Sequence, residues 1–364
     1  MAAHRKGKPL DIGTEHSHPH FRTKEPQQEH APKAITPEKS LSLILKGNLG
    51  HMSALEGLVP EDRYKKIVAG QADYLVLSCS DARGHPFDSE EDAAVGVFVR
   101  LAGNPVGASG SPDYDLLQTA LSYVKAGGPV IIESHVNCGA VKEYARWLEG
   151  GQKPTGSADL DALFHEIGGG APQTNALTQW TKARNAFGLG ARAATVRYDW
   201  EIGEISQTSP VALSPAATGL MQRWFQRHAD ANKDGDLAEK LKKQAPHAIA
   251  ICTADLPYGV ATITHANQNE IFAVTGSEGG LSPVARASVL YAASHLGPKH
   301  IAFIAPGKAE DNERIMGMFT AWERDMREIK SGGNRVIANA LNSGEMEISR
   351  LRYDLSNGML VRIA

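Results

Sequence analysis

From Pro37 onward, helical and strand-like apolar patterns alternate along the chain. Leu41, Leu43, Ile44 and Leu45 form a short apolar helical cluster, and Gly47-Asn48 predicts where that helix stops. A second helix is predicted over Pro60 to Val68, closing near Gly70. Tyr74-Leu75-Val76-Leu77 is a continuous apolar run, the signature of a strand buried on both faces of a parallel sheet. It runs directly into Ser78-Cys79-Ser80-Asp81-Ala82-Arg83. Val95 to Val99 predicts a second strand, closed by Ala102-Gly103-Asn104-Pro105. Leu116 to Val124 has helical spacing, Val130-Ile131-Ile132 predicts a third strand, and Ala140 to Leu148 predicts the helix after it. Strands alternating with helices specify an α/β architecture with a parallel sheet.

The same order of features then recurs. Gln71 precedes Cys79 by eight residues and Gln244 precedes Cys252 by eight. Leu75 to Cys79 is echoed by Ala248 to Cys252, and Gly96 to Val99 by Glu270 to Ala273. The passage from Tyr123 to Glu133 is echoed by Tyr291 to Ile304. Both stretches end alike, in Arg197-Tyr198-Asp199 with Gly203 and in Arg352-Tyr353-Asp354 with Gly358. Such ordered self-similarity predicts two copies of one α/β fold, over residues 38–208 and 209–364. Residues 1–37 have no periodic apolar pattern and carry five prolines and five histidines, so they read as a disordered tail. The His16-Ser17-His18-Pro19-His20 run is either a weak metal-binding stretch or simply solvated chain.

Composition narrows the classes. A chain of 364 residues has the size of two domains, and 42% apolar with 22% charged residues is ordinary for a globular protein. A net charge of -3 gives no basic excess for nucleic acid. No apolar run approaches the roughly 18 residues of a membrane span, and the N-terminal stretch has no apolar core of a secretory signal. The cysteines are Cys79, Cys138 and Cys252, an odd count that argues against a disulfide framework and for a reducing, cytoplasmic setting. Between the copies, Asp230, Asn232, Asp234 and Gly235 match the front of a calcium loop, but the twelfth position is Leu241. Residues 230–241 are therefore either a Ca²⁺ loop or a polar turn before a helix beginning near Leu237.

Candidate chemistry gathers at the strand ends of the first copy. Cys79 follows a buried strand, where open α/β sheets place ligands, although a structural cysteine can stand there too. His135 and Cys138 follow the third strand at a spacing that lets both side chains point the same way. Together the three make a Cys₂His set with one position open, which suits Zn²⁺ and the catalytic rather than the structural coordination pattern. Asp81 could compete for the open position unless Arg83 draws it away in a charge-assisted pair; otherwise the two are a surface ion pair of little worth.

Cys79-Ser80-Asp81-Ala82-Arg83, then Val97-Phe98-Val99-Arg100 with Gly103-Asn104, then His135-x-x-Cys138-Gly139-Ala140, resemble the β-class carbonic anhydrases. Gly47-Asn48, Gln71 and the Arg-Tyr-Asp…Gly ending extend the likeness over most of residues 38–208. The chain departs from the family pattern in Arg100-Leu101, in Ser134 before His135, in the position of Gln71 and in the shorter stretch from Tyr123 to His135. The resemblance implies a parallel sheet flanked by helices, here duplicated in tandem as a pseudo-dimer. It implies Cys79, His135 and Cys138 as ligands of one Zn²⁺ per chain, and Asp81–Arg83 as the dyad that orients a zinc-bound hydroxide. The implied reaction is reversible hydration of CO₂ to bicarbonate and a proton, with a small-molecule substrate and possible further association of copies. Phe98 or Phe272 would line an apolar CO₂ pocket, and His85 is a candidate proton shuttle.

The second copy keeps Cys252 but has Ala254 and Asp255 in place of the ordered dyad, and Ala305-Pro306-Gly307-Lys308 where the His and second Cys would stand. One thiolate cannot hold zinc, so this copy is expected to be empty. Because the family's dimers share pocket residues, Gln244, Phe272 and Tyr291 of the second copy are expected to serve the first, together with Gly139. Two other functions stay open on the same residues: hydrolysis of carbonyl sulfide or carbon disulfide, and a non-catalytic zinc-stabilised interaction module.

Overall fold

The computed structural model describes residues 35–81, 89–90, 92–199, 204–207, 218–219, 222–224, 226, 241, 244–267 and 269–364. The histidine-rich tail up to residue 34, Arg83, His85 and the candidate calcium loop other than Leu241 lie outside the described residues. Two helices open the described chain, α1 (Pro37–Ala54) and α2 (Pro60–Val68). Next come β1 (Tyr74–Ser78), β2 (Gly96–Arg100), α3 (Pro112–Ser122) and β3 (Val130–His135). They are followed by α4 (Gly139–Glu149), α5 (Ala158–Glu166), α6 (Pro172–Phe187), β4 (Ala193–Asp199) and β5 (Glu204–Gln207).

The second series runs β6 (Ala248–Cys252), α7 (Val260–Ile263), β7 (Ile271–Thr275), α8 (Pro283–His295) and β8 (His300–Gly307). It ends with α9 (Asn312–Glu328), α10 (Val336–Ser343), β9 (Glu347–Asp354) and β10 (Leu360–Arg362). The first sheet has the order β2-β1-β3-β4-β5 and the second β7-β6-β8-β9-β10, so corresponding strands occupy corresponding places. In each sheet the first four strands are parallel and the last pairs antiparallel. The continuous apolar runs are the reason: every residue of β1 and β6 is buried, which requires helices over both faces.

Two helix boundaries differ from the sequence reading by several residues. The helix expected at Leu116 begins at Pro112, because Ser111 caps it by accepting from Tyr114 N–H and Pro112 stands at the first turn. More consequentially, α1 does not stop at Gly47-Asn48 but continues to Ala54. Gly47 is there for close packing rather than termination, since a Cβ on it would lie 1.7 Å from Thr264 O. Asn48 is buried and ties three strands of chain together. Its Nδ2 donates to Ile263 O (3.1 Å) and Gly358 O (2.9 Å), and its Oδ1 accepts from Leu360 N–H (2.8 Å).

Those partners belong to the second sheet's half of the sequence, so the N-terminal arm packs away from its own sheet. Ile44 and Leu55 sit in an apolar cluster with β6, β8 and β9 residues. Each such burial stabilises the contact by roughly 1.5–3 kcal/mol. Trp224 returns the exchange: it is fully buried against Tyr74, Val76, Ile131, Ala194 and Val196 of the first sheet. Ile35–Ala364 therefore form one compact unit. No described helix is long and apolar enough to cross a membrane.

Candidate metal centre

Cys79 lies one residue past β1, His135 ends β3, and Cys138 stands immediately before α4. Because β1 and β3 are paired in parallel, their C-terminal ends lie side by side and bring the three residues together. Asn137 adopts φ +55, a left-handed turn that lets His135 and Cys138 face the same point. The ligand atoms of Cys79, His135 and Cys138 all lie within 4.8 Å of one another, and all three residues are buried. The Sγ atoms of Cys79 and Cys138 are 3.7 Å apart, far too long for a disulfide, and all three cysteines are free.

The donor spacing suits a tetrahedral zinc ion. Zn–S bonds of about 2.3 Å at tetrahedral angles separate two sulfurs by roughly 3.8 Å, which the 3.7 Å spacing meets. His135 Nδ1–H donates to Val136 O at 2.9 Å, which fixes the ring and presents Nε2 inward. Nε2 is 3.7 Å from Asp81 Oδ2. Gly103 N–H donates to Cys79 Sγ at 3.3 Å, the outer-shell support a thiolate ligand uses. Without a cation, the neighbouring Cys138 thiol and then burial push the Cys79 thiol well above its ordinary range. A divalent cation bound there would hold both thiols in their ionised form. The residues present therefore fit zinc.

The loop carrying Gly103 is itself built. Asn175 Nδ2 donates to Gly103 O at 2.7 Å, and Gln179 Oε1 accepts from Val106 N–H at 2.9 Å, both from the buried face of α6. Nothing in the local sequence signals these partners: Asn175 stands 72 positions after Gly103, and Gln179 stands 73 after Val106.

Of the second-half residues, Tyr291 reaches the centre. A Cβ on Gly139 would lie 1.9 Å from Tyr291 Oη, so the ring of α8 packs directly on the first turn of α4. Phe272 shares one apolar cluster with Cys79 and Cys138, with its ring 6.3 Å from that of Tyr291. The halves are joined beside it, Arg100 N–H donating to Thr275 Oγ1 (2.8 Å) and Ala102 N–H to Ser288 Oγ (2.9 Å). Gln244 stands before β6, away from the strand's C-terminal end; its buried Nε2 has no hydrogen-bond partner among the described residues. Phe98 borders the small cavity at the end of β6, with Arg100, Cys252, Thr253 and Tyr258.

That cavity marks the corresponding position in the second sheet. Cys252 is buried, its thiol pushed up to about 12 chiefly by burial, and no His or second Cys joins it in a metal-ligating group among the described residues. Leu241, the twelfth residue of the candidate calcium loop, is fully buried beside Tyr198.

Neither a family model nor a curated protein matches the sequence. Among solved structures, a tetrameric β-carbonic anhydrase from Sordaria macrospora is 16% identical, over 41% of this chain and 96% of that one, with a TM-score of 0.31. A β-carbonic anhydrase from Coccomyxa, solved in complex with acetazolamide, is 14% identical over 41% and 85%, with a TM-score of 0.30. The apo form of a carbon disulfide hydrolase is 19% identical over 41% and 84%, with a TM-score of 0.29.

Proposed function

We propose that the chain is a zinc enzyme catalysing reversible hydration of CO₂ to bicarbonate and a proton. The observation that carries the reading is the buried Cys79–His135–Cys138 group with the Asp81 carboxylate 3.7 Å from His135 Nε2. Three protein ligands plus a fourth position beside a carboxylate make a catalytic pattern rather than a structural one. Bound there, zinc would lower the pKa of water from 15.7 towards about 7 and so supply a nucleophile at neutral pH.

The chain's own residues do the rest. Asp81 is positioned to accept a hydrogen bond from the nucleophile and hold its lone pair in one direction, with Arg83 as its proposed partner. Gly103 N–H stabilises negative charge on Cys79. Phe272 and Tyr291, from the other half, supply an apolar wall that holds CO₂ and excludes bulk water. The repeated strand order and exchanged arms support a fused pseudo-dimer with one working site, in a cytoplasmic setting that keeps Cys79 and Cys138 as thiols.

The test combines zinc content with stopped-flow CO₂ hydration. One tightly held zinc at this centre is expected, lost with activity in Cys138→Ser. Asp81→Asn should keep its zinc while turnover falls by roughly 10²–10⁴-fold. Zinc-loaded enzyme without CO₂ hydration, or with turnover of carbonyl sulfide or carbon disulfide instead, would sink the reading.

A further inference from the structure

Apart from the Cys79 group, one set of side chains among the described residues brings three metal-ligating atoms within 4.8 Å of one another: His51, Glu90 and His265. They come from separate stretches, α1, the loop before β2 and the turn after α7. Glu90 Oε1 is the common point, 2.6 Å from His51 Nδ1 and 3.0 Å from His265 Nε2. His51 is fully buried, with Nε2 held 2.8 Å from Tyr353 Oη and the Tyr258 ring packed edge-on at 5.1 Å.

Burial pushes the Glu90 carboxyl up, but the hydrogen bonds from the imidazoles outweigh this and hold it below the usual carboxylate range. Among the described residues no Lys or Arg pairs with it; its ion-pair partners are the two histidines. One oxygen of this largely buried carboxylate thus receives both imidazoles, from two separate stretches of chain.

We infer that His51, Glu90 and His265 form a second cation site, of two imidazoles and one carboxylate, for a borderline divalent ion such as Zn²⁺. This donor set suits such ions, and the Tyr353 hydroxyl on the outer nitrogen of His51 is the support a ligating histidine needs. Bonds of about 2.0–2.1 Å set tetrahedral nitrogen and oxygen donors roughly 3.4 Å apart, so the group opens by less than about 1 Å to admit the ion. His265, with its side chain 40% exposed, is the ligand able to yield and the route from solvent. The ion would pin the N-terminal arm to the second sheet, and the site does not depend on the reading of the Cys79 centre.

Cobalt(II) titration of the full chain at neutral pH tests it, because only the Cys79 centre produces a thiolate-to-metal charge-transfer band. A second equivalent is expected that leaves that band unchanged and raises Tm. His265→Ala and Glu90→Gln should each lose the second equivalent and its Tm rise while keeping the thiolate band. If Glu90→Gln does not fold, the exposed His265 still decides the matter. Retention of the second equivalent in His265→Ala overturns the site, as does its absence in wild type. Its loss on replacing His16, His18 and His20 with Ala assigns it to the tail instead and equally overturns the proposal.

Discussion

Replacing Gly139 with Ala probes whether the second half of the chain builds the first half's metal centre. The new Cβ would stand 1.9 Å from Tyr291 Oη and 2.6 Å from its Cζ. Non-bonded carbons and oxygens settle at about 3.5 Å or more, so something must move by more than an ångström. Tyr291 cannot simply swing aside, because its ring stacks on His295 at 4.9 Å and 19° and lies beside Phe272. Overpacking of this kind costs about 1–3 kcal/mol, enough to lower Tm by several degrees. If the α4 end yields instead, Cys138 moves with it, and a displacement of about 1 Å at such a site costs on the order of 10² in turnover. Tyr291→Ala alone opens space, and in the Gly139→Ala background it should restore much of the lost stability, although the lost wall keeps the rate low. Thermal melts and stopped-flow hydration on the double-mutant cycle read both quantities. The contact predicts a coupling of at least about 1 kcal/mol; additivity within about 0.5 kcal/mol would refute the packing of Tyr291 on the metal loop.

Asn48→Ala removes three buried hydrogen bonds between the arm and the second sheet, and urea denaturation should show a loss of roughly 2–4 kcal/mol; a loss under about 0.5 kcal/mol would mean the arm is held by packing alone. His300 is fully buried, and burial, then His247 and Arg362, pull its imidazole down to about 4. Neither ring nitrogen has a hydrogen-bond partner among the described residues. Its folded pKa lies below the unfolded value of about 6.5, so stability is fully present above that pH and falls by up to about 3 kcal/mol towards pH 4. His300→Leu should flatten that slope at little cost at pH 7, and an unchanged slope would assign the acid sensitivity elsewhere.

Much of the fold was legible because buried parallel strands have a compositional signature. Tyr74 to Leu77, Val130 to Ile132 and Ala248 to Ile251 are apolar on both faces, and each became a central or near-central strand. The Cys79–His135–Cys138 cluster was legible in part because its members stand at strand ends, and paired parallel strands align those ends. Gly47-Asn48 was misread as a helix stop because local sequence reports what Gly and Asn do in an isolated helix. It cannot report that Thr264 O presses against one and three backbone groups wait for the other.

The sequence by itself determined the α/β class, the repeated order of elements and the placement of Cys79, His135 and Cys138 at the ends of buried strands, since each follows from periodicity and local position. Only the tertiary structure decided that the arms are exchanged, that β1 and β3 lie side by side, that Tyr291 packs on Gly139, and that His51, Glu90 and His265 meet. Those contacts join residues as far apart as His51 and Tyr353, 302 positions along the chain. They depend on how two sheets pack against each other, and a linear pattern carries no record of which buried faces will be shared.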